Sequence, residues 1–110
     1  MVNLSSVAGR VARSGSAVYN ATKWGVNAFG EALRQEVAGL HVRVGLIEPG
    51  AVATELSSHN RPEIRDTIQQ RFAGVERMQP DDIARAVYMV TQPRHTAVNE
   101  ILIRPTEQEG

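Results

Sequence analysis

The sequence predicts an α/β fold built on a small parallel sheet. Short β-branched runs and helical patterns follow one another as strand, helix, strand, helices, strand, the order produced by right-handed crossover units. Hydrophobic residues make up 42% of the 110 positions, close to the globular norm, so a buried core is expected and disorder is not. That length suits one small domain or a piece of a larger one.

Residues 2–5 are a short strand candidate, and residues 9–15 a loop rich in small and basic side chains. Residues 16–38 carry the longest helical pattern, with Trp24, Ala28, Phe29, Ala32 and Leu33 at helical spacing. Trp24, in register with Ala28, is expected to pack in the core. Gly39 follows as a C-terminal glycine stop. Residues 41–47, HVRVGLI, are short and β-branched and predict a second strand. Glu48-Pro49-Gly50 should stop it, because proline has no N–H for a ladder and Pro-Gly favours a turn. Residues 51–60 read as a loop. Pro62 then opens a short amphipathic helix with Ile64, Ile68 and Phe72 on one side, broken by residues 74–78. A further helix runs from Pro80 to about Thr91, with Asp81 and Asp82 suited to its positive end and Ile83, Val87 and Val90 as its buried stripe. Residues 98–103, VNEILI, are the third strand candidate, closed by Pro105.

Composition excludes several function classes. The formal net charge is zero, which argues against a surface for nucleic acid or an anionic membrane. No apolar run approaches the roughly 18 residues needed to cross a bilayer. Cysteine is absent, so disulfides and thiolate metal sites are excluded. The opening MVNLSSVAGR has no basic leader and no long apolar core, so a cytoplasmic protein is expected and the two glycosylation sequons read as chance matches. His41, His59 and His95 are expected as solvated surface residues, and no pair has helical metal-ligand spacing, so no metal site is expected. No G-x-S-x-G elbow supports a serine hydrolase.

In open parallel sheets, ligands gather beyond the carboxyl ends of the strands. Those ends are Ser5-Ser6, Glu48-Pro49-Gly50 and Arg104-Pro105, and the first two carry polar or glycine-rich segments. Close by, Tyr19 and Lys23 stand four apart, one helical turn, on one face of the long helix. A free tyrosine holds its proton to about pH 10, and a cation about 4–6 Å away favours the phenolate. Such a pair can give a proton to a carbonyl oxygen or take one from an alcohol near neutral pH, with Ser5 or Ser6 holding the substrate oxygen. The same spacing also occurs as an ordinary helix-surface contact, and Ser-Ser as a plain turn. Both readings stand on these residues alone.

The neighbouring residues weigh toward chemistry. VNLSSVAG, then Tyr19-Asn-Ala-Thr-Lys23 as Tyr-x-x-x-Lys, then Pro49-Gly50-Ala51-Val52-Ala53-Thr54 as Pro-Gly-x-Val-x-Thr, and finally PDDIARAVYMV with NEILIRP, occur in that order. Together they resemble the C-terminal half of the short-chain dehydrogenase/reductase family, across essentially the whole chain. The resemblance implies a Rossmann-like doubly wound parallel sheet, of which residues 1–110 would be the C-terminal part, with about three strands and their crossover helices. It implies Tyr19 as acid/base, Lys23 as the cation that favours its phenolate and binds the nicotinamide ribose, and Ser6, thirteen residues before Tyr19, as the catalytic serine. Pro49 and Gly50 would shape a turn against the nicotinamide, Val52 and Thr54 would contact the nicotinamide and its carboxamide, and residues 51–74 would close over substrate.

The function implied is hydride transfer between NADP(H), with NAD not excluded, and a small alcohol or carbonyl, the sequence endings looking most like members acting on small hydroxy acids, amino-alcohol acids or aldehydes. A homo-oligomer is implied as well. Ala21, Gly25, Ala28 and Ala32 would allow close packing of the long helix, against either the sheet or a partner. The family's Gly-x-x-x-Gly-x-Gly fingerprint, its Asn-Asn-Ala-Gly segment and its catalytic asparagine are not in the sequence. The expectation is therefore a fragment that needs its N-terminal half to act. The alternative is a truncated, non-catalytic remnant with a structural or assembly role.

Overall fold

The computed structural model describes residues 1–53, 61–89 and 92–110. Three parallel strands, β1 (Val2–Leu4), β2 (Gly45–Pro49) and β3 (Glu100–Ile103), lie side by side in the order β1-β2-β3. Helix α1 (Ala17–Val37) connects β1 to β2, and α2 (Pro62–Arg71) and α3 (Pro80–Met89) lie between β2 and β3. The register sets Leu4 beside Ile47 and Pro49 beside Ile103, so β2 is the central strand.

Side chains alternate across β2, and this alternation sorts the helices onto two faces. Leu46 and Glu48 face α1, where a Cβ on Gly30 would lie 3.1 Å from Leu46 Cδ2. Ile47 faces the other way and is fully buried in a core with Met78, Ile83 and Ala86, with Val52, Val87 and Ile103 packed against it. Helices on both faces of an all-parallel sheet make this the Rossmann-like, doubly wound α/β arrangement expected from the sequence. No helix among the described residues is long and apolar enough to cross a membrane.

The second strand starts later and runs further than expected, at Gly45–Pro49 rather than residues 41–47. Hydrogen-bond parity explains why proline is tolerated at its end. The Leu46 and Gly50 N–H groups donate to Asn99, just before β3, and Ile103 on β3, whereas Gly45 N–H donates to Met1 on the β1 side. Position 49 therefore faces β1, which has already ended, and its missing donor removes no rung to β3. The helix stop also differs from expectation. A single 3₁₀ turn, Ala38–Leu40, follows α1, and the left-handed residue is His41 (φ 56°), not Gly39.

The inward face of α1 is a correction. The buried positions are Asn20 and Gly30, with Lys23 and Asn27 partly buried between them. Trp24 is 50% exposed and Phe29 64%, so Trp24 is not a core residue. Ala21, Gly25, Ala28 and Ala32 are exposed too, so these small residues are not the contact with the sheet. The physical reason lies in β2: its α1-facing surface carries Glu48, and a buried carboxylate requires polar partners on whatever covers it. Phe72 and Val87 are partly buried as expected, and Ile83 is buried. Thr54, His59, Val90 and Thr91 lie outside the described residues, as do the side chains of Ile64 and Ile68. His41 and His95 are exposed.

Ile47→Ala should cost about 3 kcal/mol in urea denaturation, because its side chain is fully enclosed. Leu4→Ala, at a 56% exposed position, should cost under about 1 kcal/mol in the same measurement.

Candidate active site

The carboxyl ends of β1 and β2 bring the expected site residues to one end of the sheet. Beyond β1 the chain makes one 3₁₀ turn, Val7–Gly9, capped by Ser6, whose Oγ accepts the Ala8 N–H at 3.1 Å. Ser5 behaves differently. Its hydroxyl donates to Asn27 Oδ1 and lies 3.5 Å from the Lys23 carbonyl oxygen, so its proton is directed into α1. Ser6 uses a lone pair and keeps its proton. Both serines are buried.

Tyr19 and Lys23 converge on α1. The Lys23 Nζ stands 5.7 Å from the centroid of the Tyr19 ring, over its face, as a cation–π pair. Tyr19 is nearly half exposed and Lys23 partly buried. Pro49, Gly50 and Val52 lie at the end of β2 and just past it, where the Ala51 carbonyl accepts the Met78 N–H at 3.0 Å and the Ala53 N–H donates to the Met78 carbonyl at 2.8 Å. Ser6, Tyr19, Lys23, Pro49, Gly50 and Val52 are thus carried by the strand ends and the helix beside them, and Thr54 is not described.

A second layer of polar residues fixes these elements, and sequence reasoning missed it. Glu48 is fully buried, and Arg10 grips it with a two-pronged pair, Nε to Oε2 at 2.7 Å and Nη2 to Oε1 at 2.9 Å. Arg10 Nη2 also reaches Glu100 at 2.9 Å. The hydrogen-bonded Glu48 carboxylate raises the Arg10 pKa above its already high ordinary value. Asn27 Nδ2 donates to Glu48 Oε2 and to the Gly9 carbonyl, each at 3.2 Å. A Cβ at Gly9 would fall 2.6 Å from Asn27 Nδ2, so any side chain there would push Asn27 off these bonds.

Asn20 completes the clamp. It donates to the carbonyls of Ala8 (2.8 Å) and Val11 (2.7 Å) and accepts the Arg13 N–H at 3.2 Å. The loop after Ser6 is therefore tied to α1 by two asparagines, one next to Tyr19 and one a turn beyond Lys23. Their seven-residue spacing, two helical turns with Lys23 between, is the sequence signal that marks this face. A glutamate inside the apolar run of β2 is the second such signal.

A family profile described as short chain dehydrogenase matches residues 1–65. The chain belongs to that family. An uncharacterised oxidoreductase of Staphylococcus saprophyticus is 42% identical over 112 aligned positions, which take in 98% of this chain and 45% of that protein. Among solved structures, the closed form of a serine dehydrogenase complexed with NADP+ superposes with a TM-score of 0.79 at 36% identity, covering 92% of this chain and 42% of that one. A 4-hydroxyisoleucine dehydrogenase complexed with NADH shares the fold at 23% identity, with a TM-score of 0.74 over 99% of this chain and 46% of that one. The chain spans less than half the length of these relatives.

Replacing Arg10 leaves a buried carboxylate with only an amide partner. Arg10→Gln should destabilise the fold by about 3 kcal/mol, read by urea denaturation, and Arg10→Lys should recover only part of the loss, because an ammonium cannot make the two-pronged pair. Equal stability of all three proteins would show that Glu48 is not held as described.

Proposed function

We propose that residues 1–110 form the C-terminal part of a single Rossmann-like oxidoreductase domain that interconverts a small alcohol and its carbonyl with NADP(H), acting together with an N-terminal dinucleotide-binding half. The observation that carries this reading is the convergence of Lys23 on Tyr19 beside the serine-bearing end of β1. The open edge of β1 supports the missing half. Met1 and Ser5 bond toward β2, which leaves the N–H and C=O groups of Val2 and Leu4 directed outward, as on a strand that lacks a neighbour.

The donor set fits a nicotinamide ribose: a phenol, an ammonium and a backbone turn at the strand end. In this reading Tyr19 and Lys23 hold the ribose, and Pro49, Gly50, Val52 and Thr54 hold the nicotinamide end. The cofactor, when bound, supplies or accepts the hydride. This chain manages the proton. In reduction the Tyr19 hydroxyl gives its proton to the substrate oxygen, and in oxidation the phenolate takes it back. Ser6 donates its free proton as a hydrogen bond to that same oxygen, while the Ala8 N–H fixes its Oγ. Ser5 positions α1 and does not touch substrate.

The NADP+-bound serine dehydrogenase supports NADP over NAD, and small hydroxy acids, amino-alcohol acids or their carbonyl forms as the substrate class. A cytoplasmic setting is part of the same proposal. The outward face of α1, where Val18 is 81% exposed alongside Trp24 and Phe29, is the proposed seat of a homo-oligomer contact.

Fluorescence titration with NADPH tests the reading, using the 110-residue chain alone and mixed with the N-terminal part of the Staphylococcus saprophyticus relative. Binding is expected in the mixture; none in either case favours the non-catalytic remnant. In the active mixture Tyr19→Phe should lower kcat/KM by about 10³-fold and Ser6→Ala by about 10²-fold. Ser5→Ala should chiefly lower stability, by about 1 kcal/mol. Trp24→Ser with Phe29→Ser should shift sedimentation toward the monomer while leaving monomer stability within about 0.5 kcal/mol.

A further inference from the structure

Gln108 is one of the few buried polar residues, 8% exposed, although it lies only five residues beyond β3. Its own N–H turns back to the Pro105 carbonyl at 3.0 Å, folding the tail over the end of β2. Its side chain is satisfied at both ends: Oε1 accepts the Ala51 N–H at 2.9 Å and Nε2 donates to the Gly110 carbonyl at 2.9 Å. The last rung between β2 and β3 is the Gly50 N–H to Ile103 bond at 2.8 Å. Gln108 takes the very next donor. Its carboxamide binds the turn just past the sheet, where the strand ends.

Gly50 is shaped to this contact. The nearest atom to a Cβ built at Gly50 is Gln108 Oε1, well inside van der Waals contact, with Gln108 Cδ and Arg104 Cγ each at 3.0 Å. A side chain at residue 50 would have to push this carboxamide aside. Beyond Ala51, the paired bonds to Met78 hold the other side of the segment. The turn is therefore gripped between Met78 and Gln108.

Resting on the function proposed above, we infer that Gln108 is a positioning residue: its carboxamide fixes the Pro49–Gly50–Ala51 turn, and through that turn the nicotinamide end of the cofactor. The Ala51 N–H is only partly buried, so once the carboxamide is removed it turns to water and the turn loses its place. A tail that only adds stability would leave cofactor affinity alone. The two roles separate on that point.

The test uses Gln108→Leu, which keeps volume and removes the acceptor, and Gln108→Glu, which keeps an acceptor for Ala51. Amide hydrogen exchange by NMR on the 110-residue chain should speed up about tenfold at Ala51 in Gln108→Leu, with Leu46 unchanged, and stay near the wild-type rate in Gln108→Glu. NADPH affinity, titrated in the mixture with the N-terminal part, should fall about tenfold in Gln108→Leu and recover in Gln108→Glu. Unchanged Ala51 exchange overturns the inference. Faster exchange with unaltered NADPH affinity makes Gln108 a tail anchor and also overturns it. If Gln108→Leu does not fold, Gly50→Ala serves, since its Cβ displaces the carboxamide, and an unchanged Ala51 rate there is equally fatal. Absence of NADPH binding by the wild type overturns the proposed function and the cofactor role with it, while Ala51 exchange still decides whether Gln108 holds the turn.

Discussion

The grip of Arg10 on the buried carboxylate of Glu48 is the constraint around which the rest is arranged. A charge with no exposed surface, at the carboxyl end of the central strand, has to be matched by groups brought from other elements. Arg10 comes from the loop after β1 and Asn27 from the middle of α1, and Arg10 in turn donates to Glu100 at the start of β3. Satisfying one carboxylate therefore fixes the loop, the helix and the outer strand relative to β2. The serine-bearing turn is held by the same set, because Asn27 also bonds Ser5 and the Gly9 carbonyl.

That constraint decides which way α1 faces. An amphipathic helix over a sheet ordinarily turns its apolar stripe inward. In this chain the buried stripe centres on Asn20, Lys23, Asn27 and Gly30, with Val26 and Leu33 half-buried beside it, and the apolar residues Val18, Trp24 and Phe29 are exposed. The polar stripe suits the carboxylate, and Gly30 lets the helix axis come close to Leu46. The outward stripe then remains as apolar surface that a partner can cover.

The same geometry separates two adjacent serines that look equivalent on paper. Ser5 is drawn into the asparagine network, and its proton points at α1. Ser6 accepts a backbone N–H and retains its proton for another acceptor. A proton device needs a hydroxyl free to donate beside a phenol near a cation, and the proposed mechanism places Ser6, Tyr19 and Lys23 in those parts. The turn after β2 has its own support, with Met78 on one side and Gln108 on the other.

The alternation of β-branched runs with helical patterns was sufficient to specify a parallel α/β sheet, because crossover chirality leaves few other ways to join such elements. Tyr19 and Lys23 were legible as neighbours from helical periodicity alone, and the helix starts at Pro62 and Pro80 from local chemistry. Local signals failed where a long-range partner decides the outcome. The strand runs through Glu48 and Pro49 because hydrogen-bond parity turns position 49 toward an edge already finished. Trp24 lies outside because Glu48, twenty-four residues later, claims the helix's polar face. Gln108 gives no hint in sequence, since its role exists only once the tail folds over Gly50. Periodicity encodes what a residue can do within its own element; only the packed chain determines which distant charge or amide it must satisfy.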